Sequence, residues 1–179
     1  MTDSQALIRH VRADERAAWE PLWKGYQTFY EVALSDEITA TTWTRLHDPA
    51  EPMFVLGAYL DGKLAGIVHS LYHRSCWTIG NYCYLQDLFV AEAARARGIG
   101  RALIEAVARE ARSAGASRVY WLTQEGNTTA RALYDQVANH PLQHLAILDE
   151  ARSLRHLVIE RAGGRVAFLR EPIDAACAG

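Results

Sequence analysis

The chain has 179 residues, of which 50% are hydrophobic and 22% are charged, with 19 basic and 21 acidic side chains. So large an apolar fraction excludes an intrinsically disordered polypeptide, and the length predicts one domain. The net charge of −2 excludes non-specific nucleic-acid binding, which requires a strong excess of positive charge.

The sequence carries no recognisable targeting, membrane or metal-binding pattern. No apolar stretch is long enough for a signal peptide or a membrane helix. The three cysteines are widely spaced and favour neither a disulfide framework nor a zinc site. We therefore expect a cytoplasmic protein without a metal ion, a nucleic-acid partner or a membrane partner.

The first half of the chain contains three strand patterns and two helix patterns. Asp14 stands where a helix cap belongs, ahead of apolar residues at helical spacing. Asp61 and Gly62 form a dipeptide typical of a tight hairpin turn, in which both residues take positive φ. The predicted elements are strands at 6–11, 53–60 and 63–73, a helix after Asp14, and a helix from Asp36 to the Asp48–Pro49 step.

The second half alternates strands with helices. Gly115 is a suitable stop for the first of these helices because it tolerates left-handed backbone. An order of β-α-α-β-β-β-α-β-α points to an α/β arrangement on a mixed sheet. The predicted elements are strands at 82–90 and 117–123 and helices at 98–114 and 127–138.

The segment 95–102 joins a strand to a helix and has the features of an anion site. A helix start leaves backbone N–H groups without partners, and no Ser, Thr, Asp or Asn is present to cap them. Gly98 and Gly100 remove side-chain bulk, so that a ligand can approach the amides. A phosphate or pyrophosphate site is predicted, and the alternative is a surface turn with solvated arginines. Positive charge suited to phosphate comes from Arg95, Arg97 and Arg101.

This spacing resembles the acetyl-coenzyme A loop of the GNAT N-acetyltransferase superfamily, Q/R-x-x-G-x-G/A, with Arg95, Gly98 and Gly100 at its fixed positions. Residues 85–90 are similar to the strand that precedes this loop in the family. Downstream, the strand at 119–122 and an N-x-x-A-x-x-L/F-Y helix resemble the family's next elements. The resemblance extends from about residue 4 to residue 139 and implies a GNAT-like acyl-CoA N-acyltransferase fold with splayed central strands. The helix motif is filled by Asn127, Ala130, Leu133 and Tyr134.

The resemblance also implies roles for individual residues. The pantetheine arm of acetyl-CoA would lie beside a bulged strand, against backbone groups near Leu88 and Val90. Tyr134 would protonate the departing thiolate, and the alternative reading makes it a core residue. Asn127 would contact the cosubstrate, or it would simply cap its helix. The implied cofactor-binding residues are Leu88, Phe89, Val90, Arg95, Arg97, Gly98, Ile99, Gly100, Arg101, Ala102, Asn127, Ala130 and Tyr134.

Direct acetyl transfer requires a proton acceptor. An attacking amine must be neutral, yet a free alkylamine resembles lysine, whose pKa is near 10.4. Asp87 occupies a position where family members often carry an acidic residue, and its alternative is a structural carboxylate paired with an arginine. Gln86 departs from the Glu-Asp pair of polyamine-acetylating relatives, and Glu92 is a weaker alternative base.

The acceptor amine is expected among the first two helices and the loops over the splayed strands. Carboxylates and aromatic faces there would suit a cationic amine. Trp19, Trp23 and Phe29 are more typical of a core, and His69 and His73 of ordinary strand residues. The candidate substrate-binding residues are Tyr26, Tyr30, Glu31, Asp36, Glu37, Trp77, Tyr84 and Gln86.

The C-terminal part departs from the family pattern, which continues after the tyrosine with a Gly-Phe turn and a final hairpin. Either this branch has a different C-terminal element, or the coding frame shifted near residue 140. Apolar spacing predicts a long helix over 142–158, and 165–169 favours a short strand. We expect a GNAT-like domain over 1–140 and an atypical element over 141–179 that packs on the same domain or on the partner in a homodimer.

The sequence as a whole predicts an acetyl-CoA-dependent N-acetyltransferase that acts on a primary amine of a small molecule. Two alternatives stay open. One is a non-catalytic acyl-CoA-binding or sensory module, and the other is an N-acetyltransferase of proteins or peptides.

Overall fold

A computed structural model gives the fold and describes residues 6–124, 127–128, 132–133, 143–148, 159–160 and 167–168. The elements in chain order are β1 (Leu7–His10), α1 (Arg16–Phe29), α2 (Asp36–His47), β2 (Met53–Leu60), β3 (Lys63–His73), β4 (Tyr82–Val90), α3 (Ile99–Ser113), β5 (Arg118–Gln124), β6 (Gln143–Leu148), β7 (Ile159–Glu160) and β8 (Ala167–Phe168).

The first six strands form one mixed sheet in the order β1-β2-β3-β4-β5-β6. The pairs from β1 to β4 are antiparallel, whereas β5 pairs in parallel with both β4 and β6. Strands β7 and β8 form a separate antiparallel pair. The predicted mixed α/β sheet is therefore confirmed.

The local signals of the central hairpin and helices agree with the structure. Asp61 and Gly62 take φ of 47° and 78°, as a hairpin turn with two left-handed residues requires. Gly115, at φ 71°, follows the end of α3. The strands predicted at 53–60, 63–73 and 82–90 are confirmed at both ends.

Helices cover both faces of the sheet. On one face, α3 packs with Leu103, Ile104 and Val107 against alternate residues of β2, β3 and β4. On the other face, the remaining alternate residues contact α1 and α2, and Trp19 and Trp23 of α1 are buried as predicted. The prediction that Phe29 belongs to the core is wrong, because this residue is 56% exposed at the end of α1. Among the described residues, no helix is both long and apolar enough to cross a bilayer.

The start of α1 differs from the prediction. Asp14 does not cap the helix, because residues 13–15 form a 3₁₀ turn and α1 begins only at Arg16. Glu15 instead joins this turn to the sheet. Its carboxylate accepts two hydrogen bonds from the Arg9 guanidinium, at 2.7 and 2.8 Å, and one from the Tyr59 hydroxyl at 2.9 Å. α1 therefore has no side-chain cap, and Glu15 attaches its start to the sheet through contacts with distant residues that spacing alone does not reveal.

The C-terminal prediction is partly wrong. Where a helix over 142–158 was expected, residues 143–148 form β6, which pairs with β5 from Val119 opposite Gln143 to Gln124 opposite Leu148. The outer edge of β5 carries N–H and C=O groups that a neighbouring strand can satisfy. Pairing with this edge decides the conformation of 143–148, although the spacing of their apolar residues favours a helix. β8 lies within the strand predicted at 165–169. The division of the chain at residue 140 stays a prediction.

Replacement of Glu15 by Gln tests the attachment of α1 to the sheet. The Arg9 guanidinium, assisted by the Arg12 amide and the Tyr59 hydroxyl, holds the pKa of the Glu15 carboxyl far below its usual range. Such a group stabilises the fold above its unfolded-state pKa of about 4.3, and the stabilisation is lost as the pH falls towards the folded-state value. We expect Glu15→Gln to lower the free energy of unfolding by about 1–3 kcal/mol at pH 7.

Urea unfolding at pH 7 and at about pH 3 measures this effect, which should shrink at the lower pH. The control is Glu20→Gln, which breaks an exposed Glu20–Arg16 pair of 3.2 Å. That change should alter the free energy of unfolding by less than about 0.5 kcal/mol. Equal losses in the two variants would contradict a special role for Glu15.

Candidate active site

A β-bulge at Gln86 determines which face of the sheet Asp87 occupies. Leu85 and Asp87 lie opposite consecutive residues of β3, so Gln86 has no partner in that pair of strands. Side chains alternate along a strand, and one extra residue therefore returns Asp87 to the same face as Tyr84. This is the face that α1 covers.

Beyond the bulge, β4 separates from β5. The two strands pair only from Tyr82 opposite Arg118 to Leu85 opposite Trp121. After this point β4 continues to Val90 paired with β3 alone, while β5 continues paired with β6. The splayed central strands that the family resemblance implied are therefore present.

The open edge of β4 presents backbone groups to the gap. Ala91 donates its N–H to Ala65 of the β3 side at 2.9 Å. Because successive residues of a strand direct their N–H groups to opposite edges, Val90 and Leu88 face the gap and Phe89 faces β3. The predicted positions of Leu88 and Val90 fit a ligand in the gap. The backbone groups of Phe89 face β3 instead, and its place among the cofactor-binding residues stays a prediction.

Helix α3 begins without a side-chain cap. Gly98 precedes it in left-handed backbone with φ of 72°. The amide of Ala102 already donates to the Gly98 carbonyl at 3.0 Å, and its predicted role in anion binding stays a prediction. Within the part of the chain that the structure describes, the amides of Ile99, Gly100 and Arg101 make no hydrogen bond. These three donors point out of the helix start.

The two glycines of this turn are required for different reasons. Around Gly98 an added Cβ would meet no atom within 4 Å, so its positive φ alone requires glycine. At Gly100 an added Cβ would lie 3.1 Å from the Leu133 side chain. Gly100 thus allows close packing of two helical segments, whereas the sequence suggested access for a ligand at both positions.

The arginines of the turn are exposed. Arg95 donates from Nε to the Val90 carbonyl at 3.2 Å, which ties the turn to the end of β4. Arg101 lies 3.7 Å from Glu105, one helical turn further on. Arg97 is exposed between them. The three guanidinium groups therefore bring positive charge to the protein surface around the start of α3, where Glu105 offsets part of that of Arg101.

Asp87 is buried on the face beneath α1, with 8% of its surface exposed. Its Oδ2 lies 3.1 Å from Nδ1 of His69, and its carboxylate also accepts from the Tyr26 hydroxyl. Among the described residues no lysine or arginine pairs with it. Within the described part of the chain, the partner of Asp87 is therefore a histidine where the alternative reading expected an arginine.

His69 was expected to be an ordinary strand residue and is instead part of this site. The ring is 2% exposed, and its Nε2 accepts a hydrogen bond from the indole N–H of Trp19 at 2.8 Å. A chain of contacts thus runs from α1 through β3 to Asp87 on β4. Sequence reasoning missed it because the bulge sets the register that brings His69 opposite Asp87.

Tyrosines surround the carboxylate. Burial and the negative charge of Asp87 raise the pKa of Tyr26, and the same causes raise the pKa of Tyr84 to about 12. Burial also raises the pKa of Tyr30, whose hydroxyl accepts a hydrogen bond from the Asn127 side chain. All three phenols are therefore protonated near neutral pH. Of the predicted substrate-binding residues, Tyr26, Tyr30 and Tyr84 are brought together with Asp87.

The other predicted substrate-binding residues are exposed, and no described contact joins them to Asp87. Trp77 is 90% exposed in the β3–β4 loop, and Asp36 at the start of α2 lies 3.6 Å from Lys24. Their roles, like those of the exposed Glu31, Glu37 and Gln86, stay predictions.

A further aromatic residue was missed. Tyr120 of β5 stacks on Tyr84 with ring centroids 5.0 Å apart, and its hydroxyl lies 2.9 Å from Nε2 of His73. Ala130 and Tyr134 lie outside the described residues, so the prediction for the thiolate stays untested. Among the residues that the structure describes, no group of three or more side chains could hold a metal ion.

Comparisons with known proteins agree with this geometry. The model of the Acetyltransferase (GNAT) family matches residues 15–138. The D-amino-acid N-acetyltransferase HPA3 of Saccharomyces cerevisiae is 34% identical over 140 residues, which cover 77% of this chain and 87% of that protein. The thialysine N-epsilon-acetyltransferase of Caenorhabditis elegans is 34% identical over 80 residues, 45% of this chain and 49% of that protein.

Among solved structures, the aminoglycoside N-acetyltransferase AAC(6')-Iy in complex with CoA superposes with a TM-score of 0.66 at 18% identity. The match covers 76% of this chain and 89% of that chain. At this identity the likeness concerns the fold alone.

The contact between Gly25 and Phe89 sets how closely α1 approaches β4. An added Cβ at Gly25 would lie 2.8 Å from Cζ of the Phe89 ring. Glycine to alanine in a helix normally stabilises it by about 1 kcal/mol. Here we expect Gly25→Ala to lower the free energy of unfolding by about 1–3 kcal/mol, because the helix must move off the ring.

Thermal or urea unfolding measures this change. Phe89→Leu removes the ring. In that background, Gly25→Ala should lower the free energy of unfolding by at least about 0.5 kcal/mol less than it does in the parent chain. A parent chain that is stabilised by Gly25→Ala would contradict the packing argument.

Proposed function

The chain belongs to the Acetyltransferase (GNAT) family, and we propose that it transfers the acetyl group of acetyl-CoA directly to a primary amine of a small molecule. The observation that carries the proposal is the buried Asp87 carboxylate, which lies on β4 beyond its last pair with β5 and has protonated tyrosines around it but no described lysine or arginine partner.

The start of α3 and the open edge of β4 fit a cosubstrate that combines a diphosphate with an extended arm. The amides from Ile99 to Arg101, which make no hydrogen bond to any described residue, and the partial positive charge of a helix start suit the diphosphate. The N–H groups of Leu88 and Val90 can pair with the amides of a pantetheine arm as a neighbouring strand would. Family members use acetyl-CoA, and these residues supply what its two halves require.

The surroundings of Asp87 fit a cationic acceptor. An ammonium group is attracted by the carboxylate and by the faces of the nearby aromatic rings. Asp87 would take a proton from this group, either directly or through water, so that the neutral nitrogen can attack the thioester carbon. The C–N bond then forms as the C–S bond breaks, and the second proton of the attacking nitrogen passes to water. We assign the protonation of the departing thiolate to Tyr134, as the family resemblance implies.

Amino acids are the first acceptor class to examine. The relative that is 34% identical over most of both chains is named for D-amino acids, and the thialysine enzyme is named for a side-chain amine. Both names describe small molecules with a primary amine beside other polar groups.

A thiol-release assay with acetyl-CoA tests the proposal. The panel should hold D- and L-amino acids, ornithine, thialysine, polyamines, aminoglycosides and short peptides. We expect saturable acetylation of at least one small amine. Binding of CoA by calorimetry without acetylation of any amine would indicate a non-catalytic module, and acetylation of peptides alone would indicate a protein acetyltransferase.

Replacement of Asp87 by Asn tests the base. Asparagine preserves the shape of the side chain but is a poor proton acceptor, so we expect kcat/KM for the amine to fall about 10²-fold. The dissociation constant of CoA should stay unchanged, because the Asp87 side chain lies on the face of the sheet that α1 covers, whereas α3 packs on the opposite face. In Glu92→Gln the rate should persist, and a loss there instead would reassign the base to Glu92.

Replacement of Gly98 by Ala tests the anion site, with Gly62→Ala as its control. Both glycines take positive φ, 72° and 78°, and neither has an atom within 4 Å of an added Cβ. Each alanine should therefore destabilise the fold by about 1 kcal/mol. Only Gly98→Ala should weaken CoA binding, by about tenfold, because only there does the strain displace the helix amides. Calorimetric dissociation constants that rise equally in the two variants would contradict the assignment.

A further inference from the structure

The contacts behind Asp87 point to a second functional residue on β3. We propose that His69 is a positioning residue for Asp87, and that Trp19 holds the His69 ring in the tautomer that donates to the carboxylate. The inference rests on the proposed function, in which Asp87 accepts the proton of the amine. It adds two residues to the reaction that neither the sequence motifs nor the comparisons assign.

The tautomer follows from the chemistry of the two partners. An indole nitrogen can only donate, so the His69 Nε2, 2.8 Å from the Trp19 Nε1, must accept and carries no proton. The ring proton of a neutral imidazole then lies on Nδ1, which faces the Asp87 Oδ2 at 3.1 Å. In a doubly protonated ring, the Nε2–H of His69 would point at the indole N–H of Trp19, and neither group could accept. The arrangement therefore favours a neutral ring that donates to Asp87.

Packing holds this arrangement in place. Trp19 has no exposed surface and His69 is 2% exposed, so water has little access to either nitrogen. The rings of Trp19 and Trp23 contact the imidazole with centroids 5.8 and 5.0 Å away. The groups that face His69 are thus the two indoles of α1 and the carboxylate of β4.

A neutral donor serves this site better than a cation. The His69 N–H and the Tyr26 hydroxyl fix the direction of the Asp87 carboxylate, and in the described part of the chain no lysine or arginine compensates its negative charge. An arginine or lysine would orient the carboxylate equally well, but it would repel a cationic acceptor and reduce the tendency of Asp87 to take a proton. The Trp19–His69 pair therefore orients the base without adding a positive charge.

Two amide replacements of His69 separate its two hydrogen bonds. The Asn side chain can place its nitrogen where Nδ1 lies, which retains the donor to Asp87. The Gln side chain reaches the position of Nε2, which retains the contact with Trp19 but loses that donor. We expect His69→Asn to keep kcat within about threefold and His69→Gln to lower it about tenfold, a part of the roughly 10²–10⁴-fold that a positioned proton acceptor contributes.

Both variants remove the same ring, so a purely structural role would impair them equally. Equal kcat in folded His69→Asn and His69→Gln would overturn the inference. Trp19→Phe keeps an aromatic ring and removes only the N–H. It should lower kcat in the parent chain but not in the His69→Asn background, and a loss in both backgrounds would also count against the proposal.

Nitrogen-15 NMR of the parent chain tests the tautomer without any substitution. We expect the His69 signals of a neutral ring protonated at Nδ1, and protonation at Nε2 would overturn the proposal. Asp87→Asn distinguishes the two levels of the argument. If that variant retains full activity, the proposed base is wrong; if it loses activity while the His69 variants do not differ, only the positioning role is wrong.

Discussion

One unpaired residue, Gln86, is the constraint on which the site depends. Without it, strict alternation would turn Asp87 towards α3 and away from α1. With it, Asp87 joins Tyr84 on the α1 face and lies directly opposite His69. The pairing of β4 with β5 also ends at Leu85, the residue directly before Gln86. A single insertion in the ladder thus supplies both the orientation of the carboxylate and the gap beside it.

The second organising feature is a buried charge that, among the residues the structure describes, is surrounded by donors and has no lysine or arginine partner. Burial of an unpaired carboxylate is costly, and donors such as the Tyr26 hydroxyl and the His69 N–H offset part of that cost. What remains is a negative potential in a lining of protonated phenols. The remaining cost of burying the carboxylate is offset by the tryptophans of α1, which bury extensive apolar surface against the sheet. Fold stability and acceptor chemistry are therefore linked through α1.

Local patterns predicted much of the fold, because the strand ends at 53–60, 63–73 and 82–90 and the turn at Asp61 are decided by neighbouring residues. The uncapped start of α3 could likewise be predicted, because no capping side chain precedes it in the sequence. What could not be predicted depends on pairing between distant segments. The bulge was inferred from the family resemblance alone, and the role of His69 follows only once that bulge has set the register. Residues 143–148 carry helical spacing, yet the free edge of β5 decided their conformation.

The gap between β4 and β5 is closed at one end, where Leu85 and Trp121 are still paired, and open at the other. A linear molecule that enters it is held along one backbone edge and stopped at the vertex of the wedge. In the proposed function, the depth to which a pantetheine arm enters would be set by its hydrogen-bond register against β4. That register would in turn determine how far the thioester lies from Asp87.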